Sequence, residues 1–536
     1  MVHHTVNPPA PGWNLTLPPR LWSDLQRHLF RPDDDEHGAV ILAGRADGPR
    51  GPRLLARELM LAADGVDYIE GTTGYRALKP EFVRDAALRA RDEKLNYLAV
   101  HNHFGTTTVS FSHVDLASHE RGYPALRKIT RQTVGGLVLT SHAAAGDLWL
   151  PDGTRTPLTE VVIPGGNLIR LTPSPASATS SDPCHDRQAR LFGDRGQQAF
   201  RKMRVAVVGL GGVGSLVVEL LARLGVGHLV LIDHDTVDET NLPRLVAADQ
   251  GDIGSNKIEL AARNALRANP AIDLTVIAKH VQHPEALRAV AATDWIFLAA
   301  DTNAARHWIN QTVHQYLVPA TQAGVKIPVD AAGKIGRIHV AVRQLIPATS
   351  CMWCNSLINP TALALDMLPD KIQEHARYLD EVPAPSVIAL NSLAASEAVN
   401  HFMLAVTNLH TDDDEHSLRA LPAQRTARLP ASPPRPKLPY LLQPRPPRTR
   451  RRPSHRPCRP TPRQVRRSAV TRREVIRLEN LPVFITSRSL AAPTTWTIYR
   501  RDICHPREPG ATSGAYLARY KEYSLATDII HQLTHA

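Results

Sequence analysis

Residues 204–214 constrain the fold of this 536-residue chain more than any other stretch. They read Arg-Val-Ala-Val-Val-Gly-Leu-Gly-Gly-Val-Gly, so a short apolar run stops at Gly209 and a glycine-rich turn follows. The run predicts a buried strand, and the apolar residues 215–224 predict a helix. The first N–H groups of a helix are unpaired, and glycine lets phosphate approach the backbone closely. Gly211, Gly212 and Gly214 therefore indicate a nucleotide site.

A second strand is predicted at residues 228–232 and ends at Asp233, where a carboxylate can bind ribose hydroxyls. A glycine-rich strand–turn–helix alone does not distinguish among proteins that bind NAD, FAD or ATP. The nucleotide class therefore has to be inferred from residues further along the chain.

Three short motifs follow Asp233. The chain continues His-Asp-Thr-Val-Asp-Glu-Thr-Asn-Leu-Pro-Arg, then Gly-Ser-Asn-Lys at 254–257 and Ala-Asp-Thr-Asn at 300–303. With this joint spacing, roughly residues 185–410 resemble the adenylylating domain that ubiquitin-activating enzymes share with the bacterial ThiF and MoeB adenylyltransferases. The resemblance implies a Rossmann-like, doubly wound α/β domain that uses ATP and Mg²⁺ and forms a homodimer.

The resemblance also implies a role for individual residues around the ATP. Asp233, the first of the Asp-x-Asp pair that Asp235 completes, holds the ribose. Asn241 and Arg244 contact the phosphates. Lys257 neutralises the phosphate charge.

Two further residues complete the implied set. Asp301 carries Mg²⁺, and Arg187, ahead of the first strand, matches an arginine that reaches across a dimer toward the phosphates. Adenylation brings a carboxylate to the α-phosphate of ATP, so cations must offset the repulsion between two anions. Hydride transfer needs no such set. We therefore expect adenylation of the C-terminal carboxylate of a ubiquitin-like protein.

A second group of chemically capable residues lies near the amino terminus. A strand predicted at 97–100 runs directly into His101-Asn102-His103, and Ser112 and Asp115 follow. Imidazoles at i and i+2 of a strand share one face, so both can bind one metal ion. A carboxylate from a following loop completes three ligands and leaves a fourth position for water, as in catalytic zinc sites.

This group resembles the JAMM/MPN zinc-peptidase motif, which combines an early Glu with His-x-His and Ser-x-x-Asp. The resemblance implies that His101, His103 and Asp115 bind Zn²⁺ and that Ser112 stabilises the tetrahedral intermediate. It also implies that Glu36 is the general base, with Asp35 as its rival. Phe104 replaces the usual Pro, and the gap to the Ser is one residue longer than is commonest. The alternative is a His-rich loop in a chain that contains 25 His.

Cys351-Met-Trp-Cys354 has the spacing of half a structural zinc site. Related adenylyltransferases often pair it with a second Cys-x-x-Cys, but Cys458 and Cys504 stand singly. Three interpretations remain: a structural zinc site, a thiol that accepts the activated acyl group, or buried cysteines without a chemical role.

The net charge of +12 belongs to one segment. Residues 421–473 contain 15 Arg, one Lys, 13 Pro and no acidic residue, and outside them 47 basic residues face 51 acidic ones. We expect this segment to lack a packed core. It either binds a polyanion such as nucleic acid or has no selected role, and we favour the second alternative. No signal peptide and no membrane span are evident, and five cysteines in this length favour a cytoplasmic location.

The sequence predicts a fusion of two α/β domains. The expected boundaries are 1–168 for a JAMM-like zinc peptidase, 169–184 for a Ser/Pro linker, 185–420 for the adenylyltransferase, 421–473 for the basic segment and 474–536 for an unassigned end. The peptidase would process or release the ubiquitin-like protein that the second domain adenylates. Alternatives are activation of a sulfur-carrier protein for cofactor biosynthesis, an NAD(P)-dependent oxidoreductase, or a non-catalytic scaffold.

Overall fold

The computed structural model of the chain describes ten stretches, residues 12–33, 35–69, 76–175, 177, 182–330, 335–349, 351–368, 385–409, 421–422 and 475–477. They form two mixed α/β units, each built on its own sheet. The predictions for residues 423–474 and 478–536, including Cys458 and Cys504, lie outside the described residues.

The first unit contains eight strands and three helices. In chain order they are β1 Trp13–Thr16, α1 Pro19–Leu29, β2 Gly38–Gly48, β3 Gly51–Leu61, α2 Pro80–Asp92, β4 Asn96–Asn102, α3 His113–Thr130, β5 Val134–Leu139, β6 Ala144–Trp149, β7 Arg155–Pro164 and β8 Leu168–Leu171. The predicted helix at 20–30 and the predicted strands near 39–43 and 97–100 are present.

The first sheet closes partly on itself. Its strand order is β1-β3-β2-β4-β5-β6-β7-β8, and β1 pairs in parallel with both β3 and β7. β4 lies between antiparallel β2 and parallel β5. One face packs on α1 through Leu21 and Leu25, which are fully buried because the helix has apolar residues at helical spacing. Of the candidate zinc ligands, His101 lies in β4, His103 directly follows that strand and Asp115 lies in the first turn of α3.

The second unit alternates strands and helices. Its elements are α4 Asp186–Lys202, β9 Arg204–Val208, α5 Gly212–Leu224, β10 His228–Ile232, α6 Lys257–Ala268, β11 Asp273–Ile277, α7 Pro284–Ala291, β12 Trp295–Leu298, α8 Asn303–Tyr316, β13 Ala320–Lys326, β14 His339–Leu345, α9 Pro360–Asp366, α10 Ile388–Thr407 and β15 Leu421–Pro422. β16, Val475–Arg477, pairs with β3 of the first sheet.

The second sheet has the order β11-β10-β9-β12-β13-β14-β15 and is parallel through β13, then antiparallel. This is the mainly parallel, doubly wound sheet that the sequence predicts. The chain order reverses between β9 and β12, so the carboxyl ends of these two strands flank the crevice in which such sheets bind ligands. On one face, Phe402 of α10 packs its ring 5.4 Å from that of Trp295 and 5.5 Å from that of Phe297.

The two units contact each other through arginines of β3 and the turn before it. Arg50 donates to the carbonyl of Lys202 at 3.3 Å, Arg53 to that of Ala291, and Arg57 to those of His314 and Gln315. These carbonyls lie in the last turns of α4, α7 and α8. The carboxyl end of a helix has carbonyls without an intrahelical partner and carries partial negative charge. Each guanidinium therefore donates to such a carbonyl and lies next to opposite charge.

Asp294, which directly precedes β12, is the acidic centre of this contact. Its carboxylate accepts from Arg50 at 2.6 Å, from Arg170 at 3.1 Å and from the backbone N–H of Arg204 at 2.8 Å. Burial opposes ionisation, but the charges of Arg50 and Arg170 outweigh it and hold the carboxyl pKa of Asp294 well below its usual range. One buried carboxylate thereby links three segments of both units.

The predicted linker is shorter than expected. β8 extends to Leu171, so residues 169–171 belong to the first sheet, because Leu168 and Leu171 are buried. Leu168 packs in the core of the second unit with α10. Within the part of the chain that the structure describes, no helix combines the length and apolarity needed to cross a membrane.

We predict that Asp294→Asn strongly destabilises the chain, because two guanidinium groups then lose a buried counter-charge. Removing one partner of a buried ion pair costs about 3–5 kcal/mol of unfolding free energy. Urea-induced unfolding at pH 7 measures the loss. The folded pKa of Asp294 is depressed, so this contribution is fully present above about pH 4–5 and shrinks at lower pH, where the unfolded carboxyl takes up a proton.

The matched control is Glu285→Gln, which breaks the exposed pair with Lys279. Exposed pairs contribute about 0–1 kcal/mol. An Asp294→Asn effect as small as that of Glu285→Gln would contradict the structural role of Asp294.

Candidate active sites

The glycine turn after β9 lies against the end of β12. Gly209 has φ +87°, and a Cβ on it would lie 2.6 Å from the backbone nitrogen of Ala300. A Cβ on Gly214 would lie 1.8 Å from the carbonyl oxygen of Gly209. No other residue fits either position without moving the backbone. Gly211, with φ −72° and no atom within 4 Å of a built Cβ, faces open space at the start of α5. The turn therefore presents the amino end of α5 to an open crevice.

Asp233 joins the end of β10 to this turn. Its carboxylate accepts from the N–H of Leu210 at 2.5 Å and from the N–H of Asp235 at 2.8 Å, and the residue is 8% exposed. Asp233 thus accepts from one backbone amide of the glycine turn and from one in its own loop after β10. Asp233, which is predicted to hold the ribose, therefore also stabilises the conformation of the glycine turn.

Lys257 begins α6 and reaches back to the end of β10. Its ammonium donates to Asp235 at 2.7 Å, and its backbone N–H donates to the carbonyl of Asp235 at 3.0 Å. Burial opposes ionisation of Asp235, but the hydrogen bond and charge of Lys257 leave its carboxyl pKa below the usual value. The predicted phosphate-neutralising cation is therefore held beside the Asp-x-Asp pair.

Arg244 and Asn241 lie in the short helix Glu239–Arg244. A Cβ on Gly212 would lie 3.4 Å from Cδ of Arg244, so the Arg244 side chain crosses the glycine turn. Its guanidinium donates to the carbonyl of Thr240 at 3.0 Å, and its other donors remain available. Asn241 is buried beneath it, with its amide 3.3 Å from Thr240 Oγ1.

Asp301 follows the end of β12 directly after Ala300, the residue that abuts Gly209. It is exposed and precedes Thr302, the residue that caps the amino end of α8. Burial lowers the pKa of the Arg306 guanidinium one turn further on, and the charge of Asp301 partly offsets this. The structure therefore brings Asp301 to the same strand-end edge as the glycine turn.

Arg187 lies elsewhere within this chain. It is exposed near the start of α4, and its neighbour Gln188 donates to the carbonyl of Leu224 at 3.0 Å. Leu224 ends α5, so Arg187 lies at the opposite end of that helix from the glycine turn. A contact between Arg187 and phosphates would require a second copy of the chain.

Asn391 is a residue of this site to which the sequence analysis assigned no role. It lies near the start of α10 and is 2% exposed, and its amide nitrogen donates to Ser386 Oγ at 3.1 Å. A Cβ on Gly212 would lie 2.2 Å from that nitrogen. Asn391 is remote in sequence from the turn, and no local pattern marks it, so only tertiary packing reveals this contact.

The candidate zinc ligands of the first unit converge on one point. The Nε2 atoms of His101 and His103 are 3.2 Å apart. Each lies 3.4 Å from a carboxylate oxygen of Asp115. The hydrogen bond that His103 donates to the Asp115 carboxylate raises the pKa of His103. Burial opposes ionisation of Asp115, but its bonds to both imidazoles hold its pKa far below the usual range.

These spacings fit a metal ion. Tetrahedral zinc with ligand bonds of about 2.0–2.1 Å separates its donor atoms by about 3.3–3.4 Å. The separations here are close to that value: 3.2 Å between the two Nε2 atoms, and 3.4 Å from each of them to a different carboxylate oxygen of Asp115. Zinc is therefore a good fit to the residues present.

Ser112 and Asp115 form a capping box at the start of α3. Ser112 Oγ accepts from the N–H of Asp115 at 3.2 Å, and the Ser112 hydroxyl donates to the Asp115 carboxylate at 2.7 Å. The two-way bonding fixes the orientation of the carboxylate toward the imidazoles. In the described geometry, Ser112 orients a ligand, whereas its predicted contact with a reaction intermediate stays a prediction.

Glu36 is the acid that faces the imidazoles. Its Oε1 lies 3.7 Å from His103 Nε2, and Glu36, His101 and His103 form a cluster of metal-binding type. Burial raises the pKa of the Glu36 carboxyl against the opposing charges of both imidazoles. The carboxylate of Asp35 instead lies 3.9 Å from Arg76, so the geometry favours Glu36 over its rival.

Two neighbouring positions have other surroundings. Phe104, which replaces the usual Pro, is 60% exposed beside His103. His119 is buried, bonds Asp147 at 2.8 Å and stacks on Tyr123, so it is a core residue. His113 is the first residue of α3 and is exposed.

The Cys351 and Cys354 sulfur atoms lie 2.8 Å apart. Burial raises the pKa of the Cys351 thiol, which disfavours the thiolate that metal binding or acyl transfer requires. Among the described residues, no third Cys, His or carboxylate completes a metal-binding cluster with them. Their role as zinc ligands or acyl acceptor stays a prediction.

Comparison with known proteins supports a ThiF-family domain. The ThiF family model matches residues 185–437. This range begins at the predicted domain boundary, extends past residue 420, and does not include the candidate zinc ligands.

Individual relatives agree with this assignment. The chain is 30% identical over 162 residues to the SAMP-activating enzyme E1 of Haloferax volcanii, covering 30% of this chain and 56% of that protein. It is 37% identical over 131 residues to the molybdopterin-synthase adenylyltransferase of Escherichia coli, covering 24% and 52%. The tRNA threonylcarbamoyladenosine dehydratase of Escherichia coli is 42% identical over 89 residues, covering 17% and 33%. The chain thus spans about half or less of these relatives' lengths.

Proposed function

We propose that the ThiF-family domain at residues 185–437 adenylates the C-terminal carboxylate of a ubiquitin-fold protein with ATP. The family match and the names of two relatives support the chemistry, since one is an activating enzyme and the other an adenylyltransferase. The site geometry supports the same chemistry independently of these names.

The observation that carries the proposal is that charged side chains lie beside the glycine turn or at the strand ends next to it. Arg244 crosses Gly212, and Lys257 is held at the end of β10. Asp301 follows the strand end that abuts Gly209. Two cations and a carboxylate at the strand ends next to a phosphate-type turn suit ATP with Mg²⁺, and hydride transfer needs no such set.

Each residue has a separate task in the proposed reaction. The carboxylate of the partner protein attacks the α-phosphorus of ATP, and pyrophosphate leaves. Lys257 and Arg244 reduce the repulsion between these anions and stabilise charge on the leaving group. Asp301 would hold Mg²⁺, which when bound supplies further positive charge to the phosphates. Asp233 keeps the turn in shape through Leu210 and can meet the ribose at its outer edge.

We favour a sulfur-carrier type of ubiquitin-fold protein over a conjugated modifier. Relatives include a molybdopterin-synthase adenylyltransferase and adenylyltransferase–sulfurtransferases, besides the SAMP-activating enzyme. Sulfide would then attack the activated carbonyl, displace AMP and give a thiocarboxylate. A protein thioester or isopeptide product would instead identify a modifier. A second copy of the chain, supplying Arg187 to the phosphates, remains part of the proposal.

We predict that pyrophosphate exchanges into ATP when ubiquitin-fold proteins ending in Gly-Gly are added. Lys257→Ala and Asp301→Ala should each lower the exchange rate about 10²-fold or more, because each removes charge that stabilises the leaving pyrophosphate. Exchange of radiolabelled pyrophosphate, measured at saturating ATP, checks this.

The control for the lysine is Lys279→Ala, which removes a cation from an exposed surface pair with Glu285. Exchange that persists in Lys257→Ala and Asp301→Ala at the rate of Lys279→Ala would refute the assigned roles. A nicotinamide difference spectrum without exchange would identify an oxidoreductase instead.

We propose a second activity, zinc-dependent amide hydrolysis, for residues 12–171. The short separations among the donor groups of His101, His103 and Asp115 support it, together with the Glu36 carboxylate 3.7 Å from His103 Nε2. A zinc ion bound there supplies an activated water. Glu36 accepts a proton from the attacking water and returns it to the leaving amine. Ser112 keeps the Asp115 carboxylate in position.

The two activities share a substrate in this proposal. Hydrolysis would expose or release the C-terminal glycine of the ubiquitin-fold protein, and adenylation would then activate that carboxylate. Hydrolysis of an amide yields the free carboxylate that adenylation requires, so the product of the first unit is the reactant of the second.

We predict about one zinc ion per chain, lost in His101→Ala/His103→Ala, because two of three donors disappear. Atomic absorption on protein dialysed against metal-free buffer measures the stoichiometry. His113→Ala, which changes an exposed imidazole on the adjacent helix turn, is the control and should keep its zinc. Equal zinc content in all three proteins, or none in the wild type, would contradict the zinc site.

A further inference from the structure

Asn102, the last residue of β4, lies between the candidate zinc ligands His101 and His103, and the proposed chemistry gives it no task. Because side chains alternate along a strand, His101 and His103 share one face and Asn102 projects from the other. Asn102 is 4% exposed. Its side-chain oxygen accepts the backbone N–H of His37 at 2.7 Å, directly after Glu36 in the chain.

The backbone ladder between β2 and β4 stops just before this point. Its last pair is Gly38 with His101. Glu36 and His37 therefore lie past the end of the ladder, where no strand bond sets their distance from the imidazoles. The Asn102 side chain supplies the next bond in the same direction and so extends the pairing to the residue that follows Glu36.

The other bonds near Glu36 come from other parts of the fold. The N–H of Gly38 donates to the Tyr68 hydroxyl at 2.8 Å, and the imidazole of His37 pairs with Asp33 at 2.9 Å. Neither partner belongs to β4. Among the described residues, the Asn102–His37 hydrogen bond is thus the contact between β4 and the backbone that lies nearest to Glu36.

We propose that Asn102 is a positioning residue that sets Glu36 at its working distance from His101 and His103. The inference rests on the proposed zinc hydrolase. Glu36 Oε1 lies 3.7 Å from His103 Nε2, and Asn102 maintains this separation through the backbone of His37. A general base acts only within hydrogen-bond reach of its proton, and a misplacement of about 1 Å costs about 10²-fold in rate.

The same strand offers a matched control. Asn96, at the start of β4, is 3% exposed and also bonds backbone groups of neighbouring segments. Its oxygen accepts from Thr133 N–H at 3.1 Å, and its amide donates to the Ala43 carbonyl at 2.9 Å. Loss of Asn96 removes a comparable buried cross-strand bond at the end of β4 away from the imidazoles.

The test compares Asn102→Leu, Asn102→Asp and Asn96→Leu in the full chain. Leucine keeps the approximate size and removes the acceptor, whereas aspartate keeps an acceptor in the same place. Three quantities are measured: zinc content, hydrogen exchange of the His37 amide, and kcat and KM on a ubiquitin-fold protein carrying a C-terminal coumarin amide. Asn102→Ala replaces the leucine variant should that variant not fold.

We expect Asn102→Leu to keep about one zinc per chain, to exchange the His37 amide at least tenfold faster, and to lose about 10²-fold in kcat with little change in KM. Asn102→Asp should restore slow exchange and most of kcat. Asn96→Leu should change neither. Equal kcat in Asn102→Leu and Asn96→Leu, with zinc bound and the wild type active, overturns this role alone. A wild type without zinc or turnover overturns the hydrolase together with it.

Discussion

In the proposed adenylation, two negatively charged reactants meet at the glycine turn, and this requirement explains why cations are needed beside it. The turn itself offers amide groups and the positive end of α5, which favour one anion. A second anion requires more positive charge, and the chain brings it from distant segments. Arg244 comes from the loop after β10 and Lys257 from the start of α6. Both can reach the site because parallel strands end at one edge and their following loops gather there.

At the opposite ends of the same strands, the amino ends, charged side chains hold the two units together. Asp294 and the arginines of β3 join the first unit to the amino ends of the strands and to the carboxyl ends of three helices. Cations at helix carboxyl ends and anion-binding amides at helix amino ends follow the same dipole rule. The first unit is therefore joined to the second at the amino ends of these strands, whereas the proposed adenylation site lies at their carboxyl ends.

The sequence predicted the strands and helices near the glycine turn well, because apolar runs and glycines there carry local information. It also named Arg244, Lys257 and Asp301 as residues that surround the glycine turn, and their roles stay predictions. It did not reveal Asn391 against Gly212, Asn102 against His37, or Asp294 between the units. Each of these contacts joins residues far apart in the chain and leaves no periodic or spacing signal. β8 extends three residues past the boundary expected at residue 168, where it pairs with β7 and contacts α10.

The most direct test of adenylation is to follow the oxygen atoms of the carboxylate. A ubiquitin-fold protein ending in Gly-Gly is labelled with ¹⁸O in its terminal carboxylate and incubated with the chain, ATP, Mg²⁺ and sulfide. Attack on the α-phosphorus forms a bond from a labelled oxygen and releases pyrophosphate. Attack of sulfide on the carbonyl carbon then breaks the carbon–oxygen bond. The account predicts AMP with one ¹⁸O and unlabelled pyrophosphate. Unlabelled AMP, or ADP with phosphate, would contradict it.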